Sequence, residues 1–295
     1  MCFFTSLVVR VAVVLVPLRG PCTIVSMSRR TSIARPWSCA LAGVAMLLAG
    51  AAPAQPVVAP HAASYELSLH VSARGGDVVA VKGRLDVRLA LSCDGWQLEN
   101  SLGFRMLTED GAALEHLAHL SAFEERDGGE FVFSTRTWED RELVERLSGV
   151  ARRGDGGVQV RYSLPEAAHE ALPADTVFPG QHLDQILAAA RAGKRSLMRT
   201  VFDGSTANNP YLISGWFGSP READAQAPPA LAGRTVWPVR LAYYPAKAVE
   251  PQAQFEMSVL LYDNGVAGDM VYDYGAFAID VRLRSMELLE VPVCP

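Results

Sequence analysis

The thiols, the histidines and one Asp-Gly-Ser triplet are the groups in this chain with the most chemical potential. Cys2, Cys22 and Cys39 fall in an N-terminal stretch that reads as a leader, which leaves Cys93 and the penultimate Cys294 for the folded protein. Two thiols, one at the extreme end, read as a single long-range disulfide formed in an oxidising compartment; the other reading is two unpaired buried thiols. Joining them would close a loop of about 200 residues, worth at most roughly 5 kcal/mol of chain entropy.

The remaining candidates argue for structure more than reaction. His116 and His119 share a face only on a helix; on a strand they point to opposite faces, and no third ligand is close in sequence. Asp203-Gly204-Ser205 reads as a tight turn whose aspartate accepts from its own backbone, and no Gly-x-Ser-x-Gly nucleophile elbow is present. With both thiols assigned to a bridge, a cysteine nucleophile has no position. His182 opens a predicted helix, where it caps or touches the sheet. Many carboxylates exist, but sequence does not say which two converge. The expectation is a non-enzymatic protein with no catalytic residue, no metal and no cofactor, whose only assigned site residues are Cys93 and Cys294.

Residues 1–54 contain Arg10, Arg19, Arg29, Arg30 and Arg35 and no acid. From Met27 they read as a secretory signal: a basic start, an apolar run from Cys39 to Ala51, and Ala52-Pro53-Ala54 before a cut ahead of Gln55. The run is shorter than the roughly 20 residues of a membrane span, and Ala51 stands where a lipidated cysteine would be. The expected organisation is therefore a leader over 1–54, with the start at Met27, and one domain over 55–295 that is periplasmic and not membrane-spanning after cleavage. Of 27 Lys and Arg against 32 Asp and Glu, removing the five leader arginines leaves 22 against 32, a net charge of −10. That balance argues against nucleic acid or anionic lipid headgroups as partners.

The elements that must position these groups alternate with period two. Tyr65, Leu67, Leu69 and Val71 keep one parity, as do Leu85 to Leu91, Trp96 to Met106, Phe255 to Leu261 and Phe277 to Leu283. Each such run is a strand with one buried face. Weaker runs lie at 114–123, 130–138, 143–151, 158–163, 197–203, 210–217 and 236–243, giving roughly a dozen strands by this alternation. Asp94-Gly95, Asp127-Gly128-Gly129, Asp155-Gly156-Gly157 and Asn264-Gly265 supply turns between them. One amphipathic helix is predicted from His182 to Ala192, stopping at Gly193, with Leu183, Ile186, Leu187 and Ala190 facing the sheet. Ser219–Arg234 and Pro245–Ala253 read as exposed loops. The fold class is mainly β: a single large, highly curved antiparallel sheet, an open spiral or barrel, with one amphipathic helix packed on it. Trp96, Trp138, Trp216, Trp237, Phe104, Phe131, Phe133, Tyr243 and Phe255 read mostly as core, and a curved sheet of this size can also enclose an apolar cavity.

Read together, several phrases resemble the envelope integrity protein B (EipB) family of Gram-negative periplasmic proteins. They are His61-Ala62-Ala63-Ser64-Tyr65-Glu66-Leu67-Ser68-Leu69, Gly83-Arg84, Ser92-Cys93-Asp94-Gly95-Trp96, Leu172-Pro173 and Phe178-Pro179-Gly180-Gln181-His182. Phe202-Asp203-Gly204-Ser205, Trp237-Pro238-Val239, Leu261-Tyr262-Asp263-Asn264-Gly265 and Tyr272-Asp273-Tyr274-Gly275 complete the set. The resemblance implies a β-sheet rolled into an open spiral, a disulfide corresponding to Cys93–Cys294, and a role in maintaining the envelope, with no enzymatic activity established for the family. The partners expected are other envelope proteins or an apolar ligand. A periplasmic carrier of lipid or lipoprotein is the second reading, and an envelope hydrolase of unfamiliar type the third.

Overall fold

The computed structural model describes residues 58–73, 76–224, 227–247 and 252–294; the expected leader, with Met27, Ala54 and its three cysteines, lies outside them. Eight strands come first: β1 (His61–Ser72), β2 (Val78–Leu91), β3 (Gly95–Thr108), β4 (Ala113–Glu125), β5 (Glu130–Glu139), β6 (Glu142–Gly154), β7 (Gly157–Leu164) and β8 (Ala168–Leu172). The helix α1 (Pro179–Arg191) follows. After it come β9 (Ser196–Val201), β10 (Tyr211–Phe217), β11 (Arg221–Glu222), β12 (Thr235–Pro245), β13 (Phe255–Tyr262), β14 (Ala267–Asp273) and β15 (Phe277–Leu288). Among the described residues all fifteen strands join one antiparallel sheet, ordered β8-β7-β6-β5-β4-β3-β2-β1-β15-β14-β13-β12-β10-β9, with β11 beside β12. Among the described residues the expected mainly-β sheet with one helix is what forms, and the sheet is not closed.

Two meanders make this sheet, β1 to β8 and β9 to β15, and they meet at one seam. There the first strand pairs with the last, from His61 opposite Leu288 to Ser72 opposite Phe277. The seam is buried on its inner side by Tyr65, Leu67, Ile279 and Val281, and the Tyr65 hydroxyl donates to the Ala267 carbonyl at 2.8 Å. At the β9 end of the path, Val177 covers part of the edge: its N–H donates to the Thr200 carbonyl at 2.9 Å, and Phe202 N–H donates to the Val177 carbonyl at 3.0 Å. Covering an open edge in this way blocks pairing with another chain.

Close to the seam, Cys93 in the β2–β3 turn is joined to Cys294, six residues beyond β15, with Cα atoms 5.5 Å apart. Both residues are exposed, unlike the buried thiols of the alternative reading. The tail runs back over the end of β1, where Leu289 N–H donates to the Pro60 carbonyl at 2.8 Å.

Several expectations need correction. Fifteen strands replace a dozen, because β8, β11 and β14 were not read from the pattern. Val71 is 54% exposed: a register shift between Leu69 and Val71 breaks the alternation there. Trp216 is 46% exposed, since Tyr211, Ile213, Gly215 and Phe217 take the inner parity of β10. The stretch Ser219–Arg234 is not simply a loop. It contains β11, and Leu231 is fully buried with Val236, Tyr262 and Val266. Within Pro245–Ala253, residues 248–251 lie outside the described residues.

Replacing Cys93 or Cys294 by serine should lower the melting temperature of oxidised protein, by up to about 5 kcal/mol of stability. Under reductant the variant and the wild type should melt together. Identical melting in both conditions would show that the two sulfurs are not joined in the purified protein.

Candidate functional site

The segment Phe178-Pro179-Gly180-Gln181 starts α1 but is badly equipped to cap it. Phe178 at the N-cap position has no side-chain acceptor, and helix starts leave backbone N–H groups without partners. A distant strand supplies the acceptor. Glu124 on β4 receives Gly180 N–H at 2.6 Å and Gln181 N–H at 3.0 Å. Its carboxylate is only 5% exposed, and burial pushes its pKa up to about 6 despite the two backbone donors that favour the charged form.

Two further grips hold the same helix start. Arg153 on β6 donates to the Thr176 carbonyl at 2.8 Å and to Gln181 Oε1 at 3.2 Å, and its guanidinium lies 5.5 Å from the Phe178 ring centre. The β4–β5 turn approaches so closely that a Cβ at Gly128, whose φ is +70°, would fall 1.9 Å from Gln181 Nε2. The positive φ favours glycine, and a side chain here would have to push the Gln181 amide aside.

Aromatic packing fixes the segments on either side of α1. Phe178 stacks on Phe131 of β5 at 5.2 Å, and Phe202 meets Phe133 edge-on at 5.3 Å. The Asp203-Gly204-Ser205 triplet is the expected turn: Asp203 Oδ1 accepts Ser205 N–H at 2.9 Å. It also docks on β5, where Thr135 Oγ1 donates to the Gly204 carbonyl at 2.7 Å. A Cβ at Gly204 would meet the Phe133 ring at 2.5 Å.

The body of α1 buries His182, Ile186, Leu187, Ala189 and Ala190 on the inner face of the sheet. Burial holds the His182 pKa down to about 4, with the Arg199 charge adding to it, so the imidazole is neutral there. A hollow of about 260 Å³ remains between the helix and the sheet. Leu85, Trp96, Leu183, Leu241, Met257 and Met270 form much of its wall. Glu124, His61 and Asn100 are among its few polar groups, so it is an apolar hollow with one protonatable carboxyl at the helix start.

The sequence candidates lie elsewhere. Cys93 and Cys294 sit on the exposed rim. His116 and His119 face opposite sides, as a strand requires: His116 stacks on Phe104 at 5.0 Å, while His119 is exposed on the outer face. Among the described residues no group of three His, Cys, Asp or Glu side chains is placed to hold a metal ion. One pair escaped the sequence reading: Ser101 Oγ and His119 Nδ1 lie 2.9 Å apart across β3 and β4. The nearest strand-paired acid, Asp86, is opposite Ser101 rather than His119 and accepts from Arg84 at 2.8 Å. The order of groups is therefore not that of a nucleophilic triad. Glu124 was missed as well, and its only trace in sequence is the lack of a capping side chain at Phe178.

Residues 52–290 match the family described as EipB-like. The chain is 26% identical over 250 residues to the cell envelope integrity protein EipB of Brucella abortus, covering 82% of this chain and 89% of that protein. It is also similar to a crystal structure of a beta-barrel-like protein from Brucella abortus, of a domain of unknown function. That likeness has a TM-score of 0.74 and 26% identity, and covers 79% of this chain and 99% of the other.

The two buried groups at the helix start titrate in opposite senses. Glu124 has a folded pKa near 6 against an ordinary 4.5, so its contribution to stability is present below 4.5 and lost as pH rises through 6. His182 has a folded pKa near 4 against 6.5, so its contribution is present above 6.5 and lost as pH falls through 4. Glu124→Gln removes only the first. Between pH 7 and pH 4.5 the variant should lose about 2 kcal/mol relative to wild type, read from urea midpoints. A pH-independent gap would mean that Glu124 does not titrate in this window.

Proposed function

Since the chain belongs to the EipB-like family, we propose that it is a non-enzymatic periplasmic protein that maintains cell-envelope integrity. The observation that carries this reading is the family match over 52–290, together with the relative whose name states that role. The secretory signal read from Met27 to Ala54 supports export, and the exposed Cys93–Cys294 pair suits an oxidising compartment.

The hollow limits what the protein holds. An apolar cavity of about 150 Å³ accepts one benzene-sized group, and sites for drug-sized ligands run from about 300 to 1,000 Å³. At about 260 Å³ the hollow suits one large apolar side chain or the end of one acyl chain. The reading is therefore recognition of an apolar group presented by another envelope component, with α1 as a fixed wall. Carriage of a whole lipid or lipoprotein is the second reading, favoured by the apolar lining. It requires α1 to leave the space that acyl chains would fill, against the grip of Glu124 and Arg153.

Deleting the gene should make cells sensitive to detergent, and the wild-type chain should restore resistance; unchanged sensitivity contradicts the envelope role. Mass spectrometry after organic extraction of the purified exported protein should find no stoichiometric lipid. One bound lipid per chain would select the carrier reading instead.

A further inference from the structure

On the outer face of the sheet, away from the hollow, three basic side chains stand in one cross-strand row. His119 on β4 is opposite Arg136 on β5, and Arg136 is opposite Arg146 on β6. All three are exposed. Directly opposite residues in an antiparallel pair bring their Cβ atoms to about 5 Å, and like charges there are destabilising. Arg136 and Arg146 adopt this arrangement although acids outnumber bases in the chain.

Five other arginines that are solvent-accessible are matched. Arg84 pairs with Asp86, Arg152 with Glu130, Arg240 with Glu256, Arg282 with Asp269, and Arg284 with Glu66. Among the described residues Arg136 and Arg146 have no acidic partner. Their neighbours along and diagonally across the strands are Leu117, Ser121, Ser134, Trp138, Val144 and Ser148, none of them a carboxylate. His119 Nδ1 is already engaged by Ser101 Oγ at 2.9 Å, so Nε2 is the nitrogen left for a ligand.

Beside this row lies a concavity of about 810 Å³ that spans β15, β1, β2, β3, β4 and β5. Ala62, Ser64, Ser101, Ser121, Ser134 and Ser285 contribute small side chains to it, and Arg136 and His119 stand at its β5 end. Arg88 and Glu99, directly opposite each other on β2 and β3, also line it, offering a donor and an acceptor. The volume lies within the range of about 300 to 1,000 Å³ typical of ligand sites.

We propose that Arg136, Arg146 and His119 bind the phosphate group of a phosphorylated sugar, whose hydroxylated body lies across the serine-lined concavity. A phosphate monoester carries nearly two negative charges and offsets both guanidiniums, whereas a carboxylate would leave one unmatched. Guanidinium forks also match the geometry of phosphate oxygens. The serine hydroxyls, Arg88 and Glu99 then supply the mixed donors and acceptors that sugar hydroxyls need.

The test is calorimetric titration of the exported protein at low salt with glucose-6-phosphate, inorganic phosphate and glucose. Saturable binding is expected for both phosphate compounds, tighter for glucose-6-phosphate, with none for glucose. Arg146→Ser should weaken binding about tenfold, as expected for one charged hydrogen-bonding group, and Arg136→Ser with Arg146→Ser should abolish it. Without ligand the double variant should melt no lower than wild type, since it removes a repulsion. Equal affinity of wild type and double variant, or no saturable binding of either phosphate compound, would overturn the proposal. Equal affinity for the two phosphate compounds would overturn its sugar component.

Discussion

Pairing of the first strand with the last is the constraint on which the molecule depends. Every other neighbour relation along the sheet is made by strands close in sequence, mostly through short turns, and could form locally. The β1–β15 ladder alone turns two meanders into one sheet, and it must be closed across almost the whole domain. Such a contact is entropically expensive to form, so the buried Tyr65, Leu67, Ile279 and Val281 and the nearby Cys93–Cys294 link are placed where they secure it. The helix lies between the meanders in sequence and packs inside the curl that they form together.

That placement explains the polar groups found in an apolar interior. A helix entering through Phe178 and Pro179 brings unpartnered backbone donors into a buried site, and these must be answered there. Glu124 answers them from β4, while Arg153 and the glycine turn at Gly128 hold Gln181. The hollow next to this cap is what remains once α1 has filled most of the curl. Its size and its single carboxyl follow from how the helix start is held, which ties the hollow to the fold.

The sequence made the long strands legible because one face is buried and the other wet. In β1, β2, β3, β13 and β15 the alternation survives with few interruptions. It failed where other physics intervened. A bulge after Leu69 turned Val71 outward, β11 has only two residues, and glycine at 268 weakens the pattern of β14. Trp216 was grouped with the core by residue type, although the parity of Tyr211, Ile213 and Phe217 places it outside. Of the site, the helix and its stop at Gly193 were legible, whereas Glu124 was not, because the donors it receives lie 56 and 57 residues away. The Arg136–Arg146 conflict likewise exists only once strand register is known. The phrases Phe178-Pro179-Gly180-Gln181-His182 and Phe202-Asp203-Gly204-Ser205, which carried the family resemblance, are those that anchor the two ends of the helical segment on β5.

Strand-by-strand hydrogen exchange in an Ile279→Ser variant tests the seam most directly, since that side chain is fully buried on β15. If the β1–β15 ladder unites the meanders, protection should fall by the same free energy in β5 and β6 as in β12 and β13, far from the substitution. Loss confined to β1 and β15, with either meander keeping its protection, would contradict the account.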